Sequence, residues 1–160
     1  MITVSFKPRG FLKLNYFFYK DGLESGTINY KGFWKNNIVF SYEEKSWELK
    51  RKGLKSSIII NSVLDLKINS EFKYDWKGKG CIDLGGKLFY LDFDSIWTKK
   101  YYWKNEQNNK IISLLPSKIF HSETKMEWDC KNKPTDDYYI LSFILFNMII
   151  SNRRIIATIS

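Results

Sequence analysis

The segment from Tyr138 to Ile150, YYILSFILFNMII, is apolar on every side, and it constrains the fold more than any other part of the chain. Only Ser142 and Asn147 interrupt its run of large apolar side chains. A helix at a protein surface shows a polar face, so a helix of this composition must be surrounded by protein or by lipid. As a helix the segment would span about 20 Å, which is short of the roughly 30 Å of membrane hydrocarbon. The segment therefore predicts a helix buried in a protein core.

Charged residues mark both ends of this predicted helix. Two aspartates follow Thr135, the predicted N-cap, and their negative charge suits the first turn of a helix. Arg153 and Arg154 supply positive charge at the other end, where the helix dipole favours it. The sequence therefore predicts a helix over residues 136–152.

Upstream of the helix, apolar and polar residues alternate with the period of two that is typical of half-buried β-strands. In EFKYDWKG the alternation predicts that Phe72, Tyr74 and Trp76 share the inward face. Turn-forming sequences such as KDGLESG, KNN, RKG and GG separate these segments, as in a β-sandwich or a closed barrel. In KIFHSETKMEWDC the inward face is predicted to hold Phe120, Ser122, Thr124, Met126, Trp128 and Cys130.

A closed barrel around the helix satisfies both patterns at once, because each strand then has an apolar helix against which to pack its inward face. The 160 residues suit a single domain that covers residues 1–160. Aromatic residues make up 18% of the chain and supply large rings for the interior. We therefore predict a mainly β domain, a closed antiparallel barrel that encloses the C-terminal helix.

A set of aromatic and glycine positions points to a known family. The set comprises Trp-Lys-Gly at 76–78, the DLGG turn at 83–86, the aromatic strand 88–93, and the pair Trp97 and Trp103. With the apolar helix that follows, this pattern resembles the Tubby C-terminal-like superfamily, which includes the LURP-one-related proteins and the phospholipid scramblases, and particularly its short bacterial members. The resemblance covers about residues 20–152. It implies a twelve-stranded antiparallel barrel around a central hydrophobic helix.

The resemblance has limits that bear on function. Scramblases carry a Pro-rich tail, a Cys-rich stretch and an acidic calcium segment, and the present sequence matches none of these. The pair Asp136 and Asp137 is explained by the start of the helix. Animal Tubby proteins bind phosphoinositides through Lys and Arg residues that have no residue-by-residue match here. Lipid binding is thus implied by analogy of fold, and scrambling is not implied.

The net charge of +9 makes an anionic membrane, a nucleic acid or an acidic protein the first candidates for a partner. Among the 26 basic residues, only Arg9, Arg51, Arg153 and Arg154 are arginines. Base readout favours the planar arginine fork, so this balance argues against sequence-specific DNA recognition. The alternative is that the many Lys, Ile and Asn residues reflect AT-rich coding, and that the charge serves solubility alone.

The sequence ELKRKGLK contains the first candidate site for an anion. Its basic residues surround a predicted turn at Gly53, and such a hairpin tip can hold phosphate groups. The alternative is an exposed edge hairpin with solvated lysines. The candidate residues are Lys50, Arg51, Lys52 and Lys55.

The sequence WTKKYYWK contains the second candidate site, in which lysines alternate with aromatic residues. This pattern resembles a stacking platform for single-stranded nucleic acid. The alternative is a strand with some of its rings in the core. The candidate residues are Lys99, Lys100 and Lys104.

The sequence contains no motif for catalysis or for metal binding, and we predict no catalytic residue, metal or cofactor. His121, the single histidine, cannot form a zinc site of the usual composition. Asp92 and Asp94 in LDFDS lack the glycine and glutamate of a calcium loop. The GxGxxG, P-loop and GxSxG sequences are not present. Cys81 and Cys130 form no CxxC motif and are predicted to be core thiols in a reducing compartment.

These features predict a non-enzymatic binding protein whose outer surface contacts anionic lipid head groups. The alternative is an interaction module for an acidic protein partner, and a non-specific nucleic-acid binder is a third, less favoured possibility. Lys7, Pro8 and Arg9 stand where a signal peptide would need its apolar run. We therefore expect a cytoplasmic protein, peripheral to the membrane under the leading hypothesis.

Overall fold

The computed structural model describes residues 1–10, 15–31, 37–51, 57–62, 69–95, 97–98, 100–116 and 123–159, with side chains at all of these except 51, 57–62, 69 and 152–159. Within these residues the chain forms twelve strands and one helix, which confirms the mainly β class and the C-terminal helix. The elements are β1 (Ile2–Arg9), β2 (Asn15–Lys20), β3 (Leu23–Lys31), β4 (Asn37–Tyr42), β5 (Lys45–Arg51), β6 (Ser57–Ser62), β7 (Asn69–Tyr74), β8 (Gly80–Leu84), β9 (Lys87–Phe93), β10 (Tyr101–Lys104), β11 (Lys110–Leu114), β12 (Thr124–Trp128) and α1 (Asp136–Ile159).

Each strand pairs with the next strand along the chain, in a sequence of neighbours that runs from β1 to β12. The first and last strands also pair with each other, antiparallel, from Ile2 opposite Trp128 to Phe6 opposite Thr124. The strand order is thus that of a closed barrel. Because successive strands are antiparallel, β1, β3, β5, β7, β9 and β11 all finish at the same end of the barrel.

The two ends of the barrel are named here by what they carry. The tryptophan rim is the end that contains the connections 75–79 and 94–100, which follow β7 and β9. The helix-start rim is the opposite end, where α1 begins at Asp136 beside the connection between β4 and β5. The helix therefore runs from the helix-start rim towards the tryptophan rim.

The interior of the barrel is filled by α1. Every residue from Tyr139 to Met148 is more than nine-tenths buried, so the helix has no solvent face along this stretch. Aromatic side chains of the strands stack on those of the helix. The Phe6 and Phe146 rings lie 4.4 Å apart, and the Phe40 and Phe143 rings lie 4.8 Å apart. The apolar composition of the helix is therefore explained by its burial among the inward faces of the strands.

Indole groups of the strands bond to polar atoms of the buried helix. The Trp128 Nε1–H donates to the Ser142 hydroxyl at 2.7 Å, and the Trp103 Nε1–H donates to the Leu141 carbonyl at 2.9 Å. The other polar residue of the buried stretch 139–148 is Asn147. It is equally buried, and its amide nitrogen has no hydrogen-bond partner among the described residues. A buried indole can thus pack as an apolar ring and still satisfy its one donor.

The start of α1 is fastened to the barrel wall by ion pairs and hydrogen bonds. Asp136 accepts hydrogen bonds from the Lys45 ammonium and the Tyr42 hydroxyl, both at 2.7 Å. Burial raises the pKa of Asp136, but these two donors together outweigh burial, so the pKa lies below its usual value. The pKa of Tyr42 is raised by burial and by its bond to the carboxylate. Lys87 pairs with Asp137 at 3.1 Å.

The helix begins at the predicted residue but is longer than predicted. It covers Asp136–Ile159 instead of 136–152. The arginines at 153 and 154 do not end it, because neither glycine nor proline follows them. Thr135 precedes the first helical residue as predicted, but its hydroxyl lies 3.2 Å from the Asp137 carboxylate, and its carbonyl accepts the Tyr138 N–H at 3.1 Å.

The alternation in EFKYDWKG is confirmed for Phe72, which is buried, and only in part for Tyr74, which is half-buried. The prediction is wrong for Trp76, which is 87% exposed. The reason is local turn chemistry. The Asp75 carboxylate accepts the Lys77 and Lys79 N–H groups, at 2.9 Å and 3.0 Å, so the chain turns immediately after β7 and Trp76 leaves the strand.

The second predicted alternation is confirmed for Thr124, Met126 and Trp128, which are all buried, and only in part for Cys130, which is half-buried. Residues 117–122, which include Phe120, His121 and Ser122, lie outside the described residues. The prediction of core thiols is wrong for Cys81, which is exposed on the outer face of β8. Cys130 follows β12 and is half-buried, and both cysteines are free thiols.

Candidate functional site

Two neighbouring connections at the tryptophan rim each carry an exposed tryptophan. The first is closed by a bond from the Asp75 N–H to the Lys79 carbonyl at 2.8 Å, and Trp76 lies inside it. The second is closed by a weaker bond from the Asp94 N–H to the Lys100 carbonyl at 3.3 Å. Trp97, within this second connection, is 95% exposed. Both indoles therefore project from a turn that the backbone closes beneath them.

The bases of these two connections contact each other. Gly78 has a φ of 91°, and a methyl group placed on it would lie 2.9 Å from the Tyr101 hydroxyl oxygen. The first turn therefore rests on the first residue of β10. The Lys79 ammonium pairs with Asp92 of β9 at 2.7 Å and lies 5.0 Å from the centre of the Phe93 ring. These contacts place Trp76 and Trp97 on one continuous part of the rim.

Exposed lysines surround the two tryptophans. Lys73, Lys77 and Lys100 are exposed, and none of them has an ion pair within the described residues. The Lys77 ammonium lies 5.1 Å from the centre of the Trp76 ring, a cation–π contact at an exposed site. These ammonium groups are thus available to an external anion.

The aspartates in the same region are already occupied. Asp75 accepts the backbone N–H groups of its own turn, and Asp94 pairs with Lys110 at 2.9 Å. Asp92 pairs with both Lys79 and Lys104. Burial raises the pKa of Asp92, but the bonds from the lysines and a backbone N–H outweigh it and lower the pKa. The region therefore keeps excess positive charge, because lysines outnumber aspartates.

A groove of about 710 Å³ lies on the outer wall directly behind the Trp76 turn. Two of its three lysines, Lys79 and Lys104, are held by Asp92, which leaves Lys73 free to meet an anion. Neither Trp76 nor Trp97 lines the groove. Other lining residues include Tyr74, Gly80, Cys81 and Tyr90.

A second cavity, of about 370 Å³, lies at the helix-start rim. Its floor includes Phe89 and Ile111, which are buried. Its charged groups are engaged within the protein, since Lys87 pairs with Asp137 and Glu106 accepts the Leu88 N–H at 2.8 Å. This cavity offers an external ion no free charge of the kind found at the tryptophan rim.

The first predicted basic cluster is described only in part. Lys50 is exposed and lies 3.5 Å from Glu48, while Lys52 and Lys55 lie outside the described residues. Arg51 is the last residue of β5, and its side chain is not described. Through β6, the backbone of Arg51 lies two strands from that of Phe72 in β7. Strand β5 therefore ends at the tryptophan rim, and the anion site predicted for Arg51, Lys52 and Lys55 stays a prediction.

The second predicted cluster begins at the same rim, where Lys100 precedes β10. Three of its four rings, Tyr101, Tyr102 and Trp103, are buried, as the alternative of a strand with some rings in the core predicts, whereas Trp97 is exposed. Ammonium groups at 3.8 Å and 5.3 Å, from Lys110 and Lys104, cover the Tyr102 ring. Of the three predicted lysines, Lys100 is exposed, Lys104 is half-buried and paired, and Lys99 lies outside the described residues.

Sequence reasoning missed Trp76 as a surface residue, although a signal for it was present. In DWKGK, an aspartate is followed by a glycine three residues later, which is a turn-forming arrangement. Reading that signal would have ended the strand at Tyr74 and exposed the indole. Trp97 lay within a predicted cluster, but the sequence pattern alone does not show that Trp97 is exposed and Trp103 is buried.

In the part of the chain that the structure describes, no group of three His, Cys, Asp or Glu side chains is arranged to hold a metal ion. Within the same part, no helix is long and apolar enough to span a membrane. Comparison with protein-family models, with curated proteins and with solved structures finds no match to this chain. The function must therefore be argued from the site itself.

Proposed function

We propose that this chain is a non-enzymatic, Tubby-like barrel protein that binds anionic membrane surfaces through the lysines of the tryptophan rim. One observation carries the proposal. Lys73, Lys77 and Lys100 are exposed without an ion pair among the described residues, on a rim where each described aspartate already has a partner. Such an arrangement favours an external anion over internal pairing.

The expected affinity is modest and depends on salt. Each lysine near an anionic bilayer contributes about 1 kcal/mol, so three of them contribute about 3 kcal/mol. The net charge of +9 adds a long-range attraction that speeds the encounter with the membrane. Both contributions weaken as the salt concentration rises, because added ions screen exposed charges. At 0.1 M salt the screening length is about 10 Å, and charges farther apart than this interact weakly.

An acidic protein is the second candidate partner. The groove beside Lys73 favours it, because a groove of about 710 Å³ can accept an acidic side chain. A nucleic acid is less favoured, because Tyr101, Tyr102 and Trp103 of the predicted stacking cluster are buried and lysine replaces the arginine used for base readout.

Flotation with vesicles tests the proposal. We expect binding to phosphatidylcholine vesicles that contain about 30% phosphatidylserine, little binding to phosphatidylcholine alone, and weaker binding in about 0.5 M salt than in about 0.1 M salt. A Lys77→Gln/Lys100→Gln variant should lose about 2 kcal/mol of binding free energy, or roughly 30-fold in affinity.

The matched control changes the same charge at the other end of the barrel. Lys131 and Lys133 are exposed in the segment that joins β12 to α1 at the helix-start rim. A Lys131→Gln/Lys133→Gln variant should bind within about twofold of the unmodified protein. Equal losses in the two variants, or equal binding to neutral vesicles, would contradict a site at the tryptophan rim.

A further inference from the structure

The tryptophans of the described residues fall into two groups with opposite surroundings. Trp47, Trp103 and Trp128 are 4%, 0% and 0% exposed, whereas Trp76 and Trp97 are 87% and 95% exposed. The barrel therefore uses indoles as core residues and yet leaves two of them almost wholly in water. Large exposed apolar groups that lie together on a surface indicate a contact surface.

The two exposed indoles contribute little to the fold. The Trp76 turn is held by the Asp75 carboxylate and by the packing of Gly78 on Tyr101. In the described part of the chain, neither indole is paired with another aromatic ring, and the Trp76 ring has a cation–π contact with the Lys77 ammonium. A structural role does not explain why these positions carry tryptophan.

A lipid bilayer fits these two side chains better than a protein or a nucleic acid does. Indoles favour the membrane–water interface, where the ring meets apolar chains and the N–H meets head groups. Lysines beside them can extend to the phosphates while their stems lie along apolar surface. Trp76 and Trp97 stand on separate turns and neither lines the groove behind the Trp76 turn, so they suit a soft surface that both can enter. Successive nucleic-acid bases stack on several exposed rings, and the rings that follow Trp97 along the chain, Tyr101, Tyr102 and Trp103, are buried.

We infer that Trp76 and Trp97 insert into the interface of an anionic bilayer and so orient the barrel with its tryptophan rim against the membrane. The inference rests on the proposed function and adds to it, because lysines alone would adsorb to any anionic surface in several orientations. In this orientation the start of α1, with Asp136 and Asp137, lies at the end of the barrel away from the anionic lipids. The inserted indoles provide a part of the binding that salt does not screen.

The test compares a Trp76→Ser/Trp97→Ser variant with the unmodified chain on vesicles of phosphatidylcholine with about 30% phosphatidylserine. We expect the variant to bind about 100-fold more weakly, about tenfold for each indole, and to lose its remaining binding in about 0.5 M salt. Brominated lipid tails should quench the fluorescence of the bound unmodified protein and leave that of the variant unchanged. Thermal unfolding should be the same in both, because the two side chains are exposed.

Leu23 provides the control, because it is a large apolar side chain that is 73% exposed at the start of β3, at the helix-start rim. A Leu23→Ser variant should bind and be quenched like the unmodified protein. Unchanged binding by the double tryptophan variant, or quenching that persists in it, would overturn the insertion. If the tryptophan variant binds normally while Lys77→Gln/Lys100→Gln does not, the protein adsorbs through its lysines as proposed, and the insertion of the indoles is contradicted. If the unmodified chain does not bind anionic vesicles, both the proposed function and the insertion are contradicted.

Discussion

Replacing Phe143 by aspartate should unfold the whole domain. The Phe143 side chain is fully buried in the middle of α1, and its ring stacks on Phe40 at 4.8 Å. The substitution removes a buried ring, at about 3–5 kcal/mol, and buries a carboxylate without a partner, at several kcal/mol more. Together these costs approach or exceed the roughly 5–15 kcal/mol that stabilise an ordinary domain.

Circular dichroism and urea unfolding measure the effect of this substitution. The aspartate variant should lack a cooperative unfolding transition, while Phe143→Leu, which keeps an apolar side chain, should fold with a loss of about 1–2 kcal/mol. A folded Phe143→Asp protein with an unchanged midpoint would mean that the helix is accessible to water and is not the core of the domain.

Replacing Trp103 by alanine should have the second largest effect, a loss of about 3–5 kcal/mol in the free energy of unfolding. The indole is fully buried, lies with its edge towards Phe72 at 5.4 Å, and bonds to the Leu141 carbonyl of the helix. Its removal leaves a cavity and takes away the hydrogen bond that the Leu141 carbonyl accepts in addition to its bond within the helix.

Trp97 supplies a matched control for this prediction, because it is the same residue type in the connection just before β10. Trp97→Ala should change the free energy of unfolding by no more than about 0.5 kcal/mol, since its side chain is exposed. Urea unfolding of both variants gives the comparison. Similar losses in the two would show that the structure assigns burial to the wrong tryptophan.

The parts of the fold that depend on long apolar patterns were predictable from the sequence. The C-terminal helix follows from its all-round apolar composition, and the inward face of β12 follows from the alternation of Thr124, Met126 and Trp128. Boundaries were less predictable. The strand containing Phe72 ends two residues before the pattern does, because one carboxylate turns the backbone, and the helix continues past its arginines because nothing stops it.

The candidate site depended on information that the sequence does not contain. Each basic cluster was visible, but only the order and register of the strands show that β5 and the connection after β9 reach the same rim. The sequence also does not show which lysines have an ion-pair partner. Lys104 resembles Lys100 in the sequence, yet Asp92 occupies Lys104 and leaves Lys100 exposed. The free lysines could thus be identified only after the side chains of neighbouring strands were placed.

The buried helix also limits where function can lie. The barrel interior is filled by α1 and the aromatic side chains that stack on it, so the ligand-accessible surfaces are the outer wall and the two rims. Of these, the tryptophan rim combines free cations with exposed indoles, whereas the helix-start rim pairs Asp136 and Asp137 with lysines of the wall. The proposed membrane contact uses the end at which charge and apolar surface coincide.

The accessibility of the helix to a thiol reagent tests the central claim, that α1 is enclosed by the strands, most directly. Ser142→Cys, in a chain whose two cysteines are replaced by serine, puts a thiol of nearly unchanged size at a fully buried position. A maleimide should modify this thiol in urea but, in native buffer, at least about 1000-fold more slowly than the thiol of Trp97→Cys in the same background. Equal rates for the two thiols in native buffer would contradict an enclosed helix.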